Sequence, residues 1–209
     1  MQIVEHNLPK GVQIVNVVAT ADLSQKLSIT KLNNYPWGIY DEATYKGICG
    51  YIKSPEMIGK VTVFSSGKMI SIGAKSIDDA VQLLNQAKFY LLQEKLIKDI
   101  DLKPIICNIV ATTQFGNSFD LQNLMRILPN SKYDPKQFAG IIYKRKKKPT
   151  ALIFGSGKVV ILGAKSLQEL NLVYFQLKKK IEALVSYGHS FFSLGFVSFR
   201  LDLLLFPYL

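Results

Sequence analysis

The chain has 209 residues, 48% of them apolar and 20% charged, which excludes a disordered or collagen-like polymer and leaves room for one sizeable core or two small ones. Its 26 Lys and Arg outnumber 15 Asp and Glu, a net charge of +11, which points to a polyanionic partner such as nucleic acid or an anionic membrane surface. Cys49 and Cys107 form no CxxC pair and His6 lies far from His189, so neither a disulfide framework nor a zinc site is indicated, and buried structural thiols are expected.

The N-terminus, with Glu5 and His6, lacks the basic and then apolar run of a secretory signal, so an intracellular, reducing compartment is expected. Residues 1–12 read as an arm. A β-branched strand follows over 13–21, then a polar helical stretch, three short strands, and an amphipathic helix over 77–97. The same order then recurs, with a strand over 105–113 and a final helix over 167–184. Ser76 and Ser166 stand where they cap the two helices, and Gly67 and Gly157 turn the hairpins before them.

The recurrence is a duplication. FSSGKMISIGAKS (64–76) and FGSGKVVILGAKS (154–166) share eight of thirteen residues at an offset of ninety, and IVNVVAT (14–20) and ICNIVAT (106–112) share five of seven at an offset of ninety-two. A unit of about ninety residues exceeds the roughly 20 to 50 of solenoid repeats, so one half-domain copied once is expected. Strands joined by tight turns pair antiparallel, and helices covering one face define an α+β arrangement: two pseudo-twofold-related repeats forming one curved antiparallel sheet with the helices on its convex face.

Alternation along a strand puts Ile14, Asn16, Val18 and Thr20 on one face and Val15, Val17 and Ala19 on the other, repeated by Ile106, Asn108, Val110 and Thr112. Val61 and Val63 likewise oppose Thr62 and Phe64, and Val159 and Ile161 oppose Val160 and Leu162. Both faces are apolar while helices can cover only one. The second face is then either a large binding surface or the seat of another layer, such as the apolar C-terminal tail or a partner subunit.

An NxVAT strand, an F-x-SGK hairpin and a GAK helix entry, each occurring twice, resemble the TATA-box-binding protein family over residues 13–184, and YDPKQFAGIIY (133–143) resembles that family's second stirrup. The resemblance implies a general transcription initiation factor that binds promoter DNA as a monomer, with transcription factor B and RNA polymerase as partners and no small-molecule substrate, metal, cofactor or membrane. It places Asn16 and Asn108 on bases at the middle of the site, with Val18 and Val110 against flanking bases and Thr20, Ile70, Ile72, Thr112, Leu152, Val160 and Leu162 lining the same groove-facing surface. Minor-groove A·T pairs offer the acceptors adenine N3 and thymine O2, which amide donors fit. Aromatic wedges kink DNA by unstacking base steps; here they would be Phe138 with Phe154, next to Ala139, and Tyr45 with Phe64.

Tyr45 stands where the family carries phenylalanine and Lys46 where it carries a small residue, which implies an uneven grip. Ile72 and Leu162 replace common threonines, which shifts the preference away from a standard TATA element. Lys53, Lys68, Lys75, Lys144, Arg145, Lys158 and Lys165 fall on or near sheet edges, as phosphate contacts or as solvated lysines. KRKKK (144–148) fits a nuclear localisation signal, a backbone contact or a solvated hairpin, and Asp134, Pro135, Lys136 and Gln137 replace the acidic stirrup that the family offers to factor B.

The repeats are assigned to 13–100 and 101–185, and 186–209 is an apolar, aromatic tail of unassigned role. Arg200, Asp202, Gly195 and Pro207 make that tail a poor bilayer helix, so packing on the body or on a partner is expected. A related protein whose saddle or helical face serves protein partners is the alternative reading. A nuclease or glycosylase would need one unique cluster of acid-base or metal-binding groups, whereas here the special residues come in two equivalent copies.

Overall fold

The two β-branched runs that open the repeats lie side by side at the centre of one antiparallel sheet. The computed structural model describes residues 8–116, 118–144 and 149–193, with the side chains of the last helix given as far as residue 183. The first repeat supplies β1 (Gln13–Asp22), β2 (Gly38–Ile39), β3 (Cys49–Ile52), β4 (Lys60–Phe64) and β5 (Lys68–Ala74). The second supplies β6 (Ile105–Gln114), β7 (Ser131–Lys132), β8 (Gly140–Lys144), β9 (Thr150–Phe154) and β10 (Lys158–Ala164). The sheet order, β2-β3-β4-β5-β1-β6-β10-β9-β8-β7, is the same from either edge once the repeats are exchanged. Val17 pairs with Ile109, flanked by Asn16 opposite Val110 and Val18 opposite Asn108, so the pseudo-twofold passes through the Val17–Ile109 pair. The expected α+β duplication is the observed one.

Four helices accompany the sheet among the described residues: α1 (Glu42–Tyr45), α2 (Ile77–Gln93), α3 (Leu121–Ile127) and α4 (Leu167–Ser193). Ser76 Oγ accepts the Asp79 N–H at 3.0 Å and Ser166 Oγ accepts the Glu169 N–H at 3.2 Å, so both serines cap as their position implies. Each long helix then buries one stripe, Ala80, Leu83, Leu84, Ala87 and Leu91 on α2, and Leu170, Val173, Tyr174, Leu177 and Ile181 on α4. The stripes meet the inward residues of the sheet, Val17, Ala19, Val63 and Met69 in one half and Ile109, Ala111, Ile153 and Val159 in the other. Each fully buried leucine contributes about 1.5–3 kcal/mol.

Several expectations are corrected. Each repeat has a fourth short strand, β2 or β7, whose two residues pair only at the sheet edge and carry no periodic signal. The polar stretch of the first repeat forms a 3-10 turn over Ile29–Asn34, closed at Tyr35, whose extended backbone (φ −124°, ψ 143°) is the one that Pro36 imposes on the residue before it. Helix α4 runs past its expected end at residue 184, because its only glycine there, Gly188, costs about 1 kcal/mol against alanine and the next proline is Pro207. Residues 194–209 of the tail lie outside the described residues.

Helix α2 stops at Gln93 rather than 97. Lys95 turns left-handed at φ 54°, its N–H reaches Leu92 O at 3.0 Å, and the Leu96 N–H reaches Leu91 O at 2.9 Å, the two bonds of a Schellman stop. Glycine is the residue that adopts this conformation freely, so Lys95→Gly is expected to stabilise by about 1 kcal/mol, raising Tm by roughly 2–4 °C in a thermal melt.

The cysteines are not buried. Ladder irregularities between Ile14 and Asn16 and between Val18 and Ala19 leave Val15 and Cys107 as extra residues, one on each central strand. Each bulge residue turns outward. Val15 is 39% exposed rather than packed under α2, and exposed Cys107 lies with its Sγ 3.3 Å from Thr20 Oγ1. Cys49 is only half-buried.

Candidate nucleic-acid interface

Because the helices take one face, the alternation of each strand leaves a second set of side chains outside the core. On β1 these are Asn16, Val18 and Thr20; on β6 they are Asn108, Val110 and Thr112, all half-buried beside the fully buried Val17, Ala19, Ile109 and Ala111. The hairpins extend the surface outward with half-buried Phe64 and Ile70 and exposed Ile72 in the first repeat, and half-buried Leu152, Phe154, Val160 and Leu162 in the second. Ladder pairs knit them into one patch, Thr20 with Ile70 and Thr112 with Val160, then Leu152. Among the described residues, no second layer covers this face.

The two asparagines are held alike. Gly73 and Gly163 lie in irregular stretches of β5 and β10 with φ of 95° and 89°, a region open to glycine, which turns their N–H groups toward the central strands. Asn16 Oδ1 accepts the Gly73 N–H at 3.1 Å and Asn108 Oδ1 accepts the Gly163 N–H at 2.8 Å. The oxygen of each amide is thereby engaged within the protein, and the NH2 group is the half left to face outward. Two amide donor groups thus flank the pseudo-twofold on a floor that is apolar apart from the Thr20 and Thr112 hydroxyls.

At the far end of the second repeat, Phe138 leans on Phe154 with ring centres 5.7 Å apart at 61°, next to exposed Ala139. The first repeat does not match this. Tyr45 ends α1 with its ring edge-on to Tyr51 at 5.4 Å and tilted to Tyr40 at 6.5 Å, so its ring partners are tyrosines rather than Phe64. A hydrogen bond with Tyr51, with partial burial behind it, holds the Tyr45 phenol above its ordinary pKa. The Lys60 ammonium sits 4.2 Å over the Tyr51 ring. Tyr51 and its counterpart Ile142 were not among the residues expected on this face. Alternation within β3 and β8 puts both on the open face, a signal hidden by the shortness of those strands.

Of the basic residues, Lys68, Lys75, Lys144, Lys158 and Lys165 are exposed. Lys53 is half-buried and its ammonium donates to Met57 O and, at 2.9 Å, to Gly59 O, so it serves its own loop. Arg145 and the rest of the 145–148 run lie outside the described residues. No helix among the described residues is long and apolar enough to cross a membrane.

A duplicated α+β saddle with one uncovered apolar face, matched asparagines at its centre and lysines around it has the form of a protein that grips an extended ligand from one side. Residues 11–93 and 103–184 match the family described as transcription factor TFIID (or TATA-binding protein, TBP), and the chain belongs to that family. It is 43% identical over 169 residues to the TATA-box-binding protein of Cenarchaeum symbiosum, covering 81% of this chain and 93% of that one. It is 36% identical over 185 residues to that of Thermococcus kodakarensis, covering 84% and 91%. Among solved structures, Methanococcus jannaschii TBP superposes with a TM-score of 0.73 at 25% identity over 82% of this chain and 98% of that one.

Proposed function

We propose that the chain is a general transcription initiation factor whose open sheet face binds A·T-rich promoter DNA in the minor groove, bends it and presents the complex to transcription factor B and RNA polymerase. The observation that carries this reading is the pair of asparagine amides, whose acceptor oxygens are engaged by Gly73 and Gly163. An A·T pair presents only acceptors in the minor groove, whereas a G·C pair adds the guanine amino donor. A surface offering two donors and apolar neighbours therefore discriminates in favour of A·T, with Val18 and Val110 flanking the donors and filling space that the guanine amino group would need.

The apolar surface around the donors fits a groove widened by bending, since a flat contact would leave it wet. The grip needs no metal, cofactor or reacting group, and a single chain supplies both halves. Factor B would meet the second stirrup, where Asp134 Oδ1 accepts the Lys136 N–H at 3.0 Å and Asp134 O accepts from Gln137 and Phe138, holding 134–137 as an exposed turn. Ile72 and Leu162 favour a second reading, in which the same face binds a protein and discriminates poorly between DNA sequences.

The two readings separate in a titration of fluorescent duplexes, one with a TATA element and one G·C-rich, with energy transfer between the duplex ends reporting the bend. Tight, bent, A·T-selective binding is the expected result; weak binding, equal on both duplexes and without bending, overturns the proposal in favour of the protein-partner reading. In the same assay, neutralising exposed Lys68, Lys75, Lys158 and Lys165 with glutamine should flatten the slope of log K against log salt by about 0.9 for each phosphate left without its lysine, without altering A·T preference.

A further inference from the structure

The strand ladder exposes a difference between the two ends of the face. Gly140 pairs with Phe154 and Cys49 pairs with Phe64, while the neighbouring pairs Ile141–Ile153 and Gly50–Val63 keep the same step, so Cys49 occupies the place of Gly140. Counting back two residues from each, the place of Phe138 is taken by Gly47. A Cβ on Gly140 would stand 2.9 Å from the Ile153 carbonyl oxygen, 3.1 Å from the Phe138 ring and 3.2 Å from the Phe154 ring, so the absent side chain is what lets the two rings close together over the paired strand. In the first repeat that space holds the Cys49 side chain, half-buried on the open face, and there is no ring at Gly47.

The nearest ring in sequence, Tyr45, is tied away by its edge-on packing against Tyr51. Among the described residues, Phe64 has no ring packed beside it. It borders a cavity of ≈ 920 Å³ that also touches Thr20, Lys68, Ile70 and Ile105, whereas Phe154 is propped by Phe138. A wedge that separates stacked bases must resist being folded back, and a braced ring pair does so where a lone ring beside a void does not.

We infer that the protein kinks DNA at one end only, with the Phe138–Phe154 pair wedged into a base step and the first-repeat end held by smooth contact, Gly140 being the residue that permits the wedge. This rests on the DNA-binding reading above and departs from the two-wedge grip that the family resemblance implies. One consequence is directional: a near-symmetric A·T site carrying one easily unstacked pyrimidine–purine step at an end would be bound with the second repeat at that end.

The test uses the full chain on an A·T-rich duplex with 2-aminopurine at both outer base steps, whose fluorescence rises when a step is unstacked. Phe138→Ala is expected to remove most of the rise and Phe64→Ala to leave it nearly intact. Gly140→Cys, which copies the first repeat into the second, should behave like Phe138→Ala; its thermal melt checks that it is folded, and the half-exposed Phe138 variant decides the matter if it is not. Equal losses from Phe64→Ala and Phe138→Ala would overturn one-sided kinking while leaving A·T-selective binding in place. Failure of the parent chain to bind the A·T duplex selectively would overturn both.

Discussion

Exchanging both central asparagines for aspartate is expected to leave Tm nearly unchanged while abolishing A·T-selective DNA binding. The aspartate oxygens can still accept the Gly73 and Gly163 N–H groups that Asn16 and Asn108 accept at 3.1 and 2.8 Å, so the bulges on β5 and β10 keep their anchors. What disappears is the outward donor, replaced by a charged acceptor facing adenine N3 or thymine O2. The double alanine variant makes the opposite exchange. It loses both internal bonds, about 0.5–1.5 kcal/mol each, and melts lower. It loses the donors too, but without adding a negative charge. At about 1–3 kcal/mol of discrimination per base-reading side chain, removing both weakens A·T preference roughly thirtyfold or more. Calorimetry should therefore rank aspartate above alanine, and duplex titration should rank alanine above aspartate. If both assays ranked the variants alike, the asparagines would be props for the bulges rather than readers of the groove.

The duplication and the open face were legible because they rest on repetition and alternation. IVNVVAT and ICNIVAT predict not only strands but which residues of each are left uncovered, and Asn16, Val18 and Thr20 lie where alternation puts them. Alternation fails one step earlier, at Val15, because a bulge inserts a residue without changing composition. A second bulge, on β6, brings out Cys107 in the same way, against the usual tendency of free cysteine to be buried. The stirrups show a different limit. Tyr45-Lys46-Gly47 resembles Phe138-Ala139-Gly140 as a local string, and matching the glycines makes Tyr45 the counterpart of Phe138. Strand pairing decides otherwise, since Phe64 lies across from Cys49 and Phe154 from Gly140, shifting the first stirrup by two residues. A contact across strands determines which residue reaches the end of the face, and no local motif records it.

That dependence on long-range contacts makes the hairpin glycine of the first repeat a position where one added methyl group should do heavy damage. Gly67 sits at φ 94° between β4 and β5, and a Cβ there would stand 2.1 Å from the carbonyl oxygen of Gln25. The carbonyl cannot easily retreat, because the Gln25 side chain donates to Lys98 O at 2.9 Å and accepts the Lys98 N–H at 2.8 Å. The same loop is bound to the hairpin by Leu23 N–H to Gly67 O and Leu27 N–H to Ser65 O, each 3.0 Å. Gly67→Ala therefore meets an unfavourable dihedral and a fixed backbone atom at once, and is expected to cost about 3–4 kcal/mol, or roughly 6–16 °C in Tm. Gly47→Ala supplies the comparison: its φ is 70°, but nothing lies within 4 Å of the added Cβ, so only the dihedral cost remains. That cost alone is about 1–2 kcal/mol. A Gly67 variant that melts no lower than the Gly47 variant would mean that the 23–27 loop yields, and that the first repeat's hairpin, with Phe64 at its base and Lys68 beyond its turn, is held less firmly than its hydrogen bonds imply.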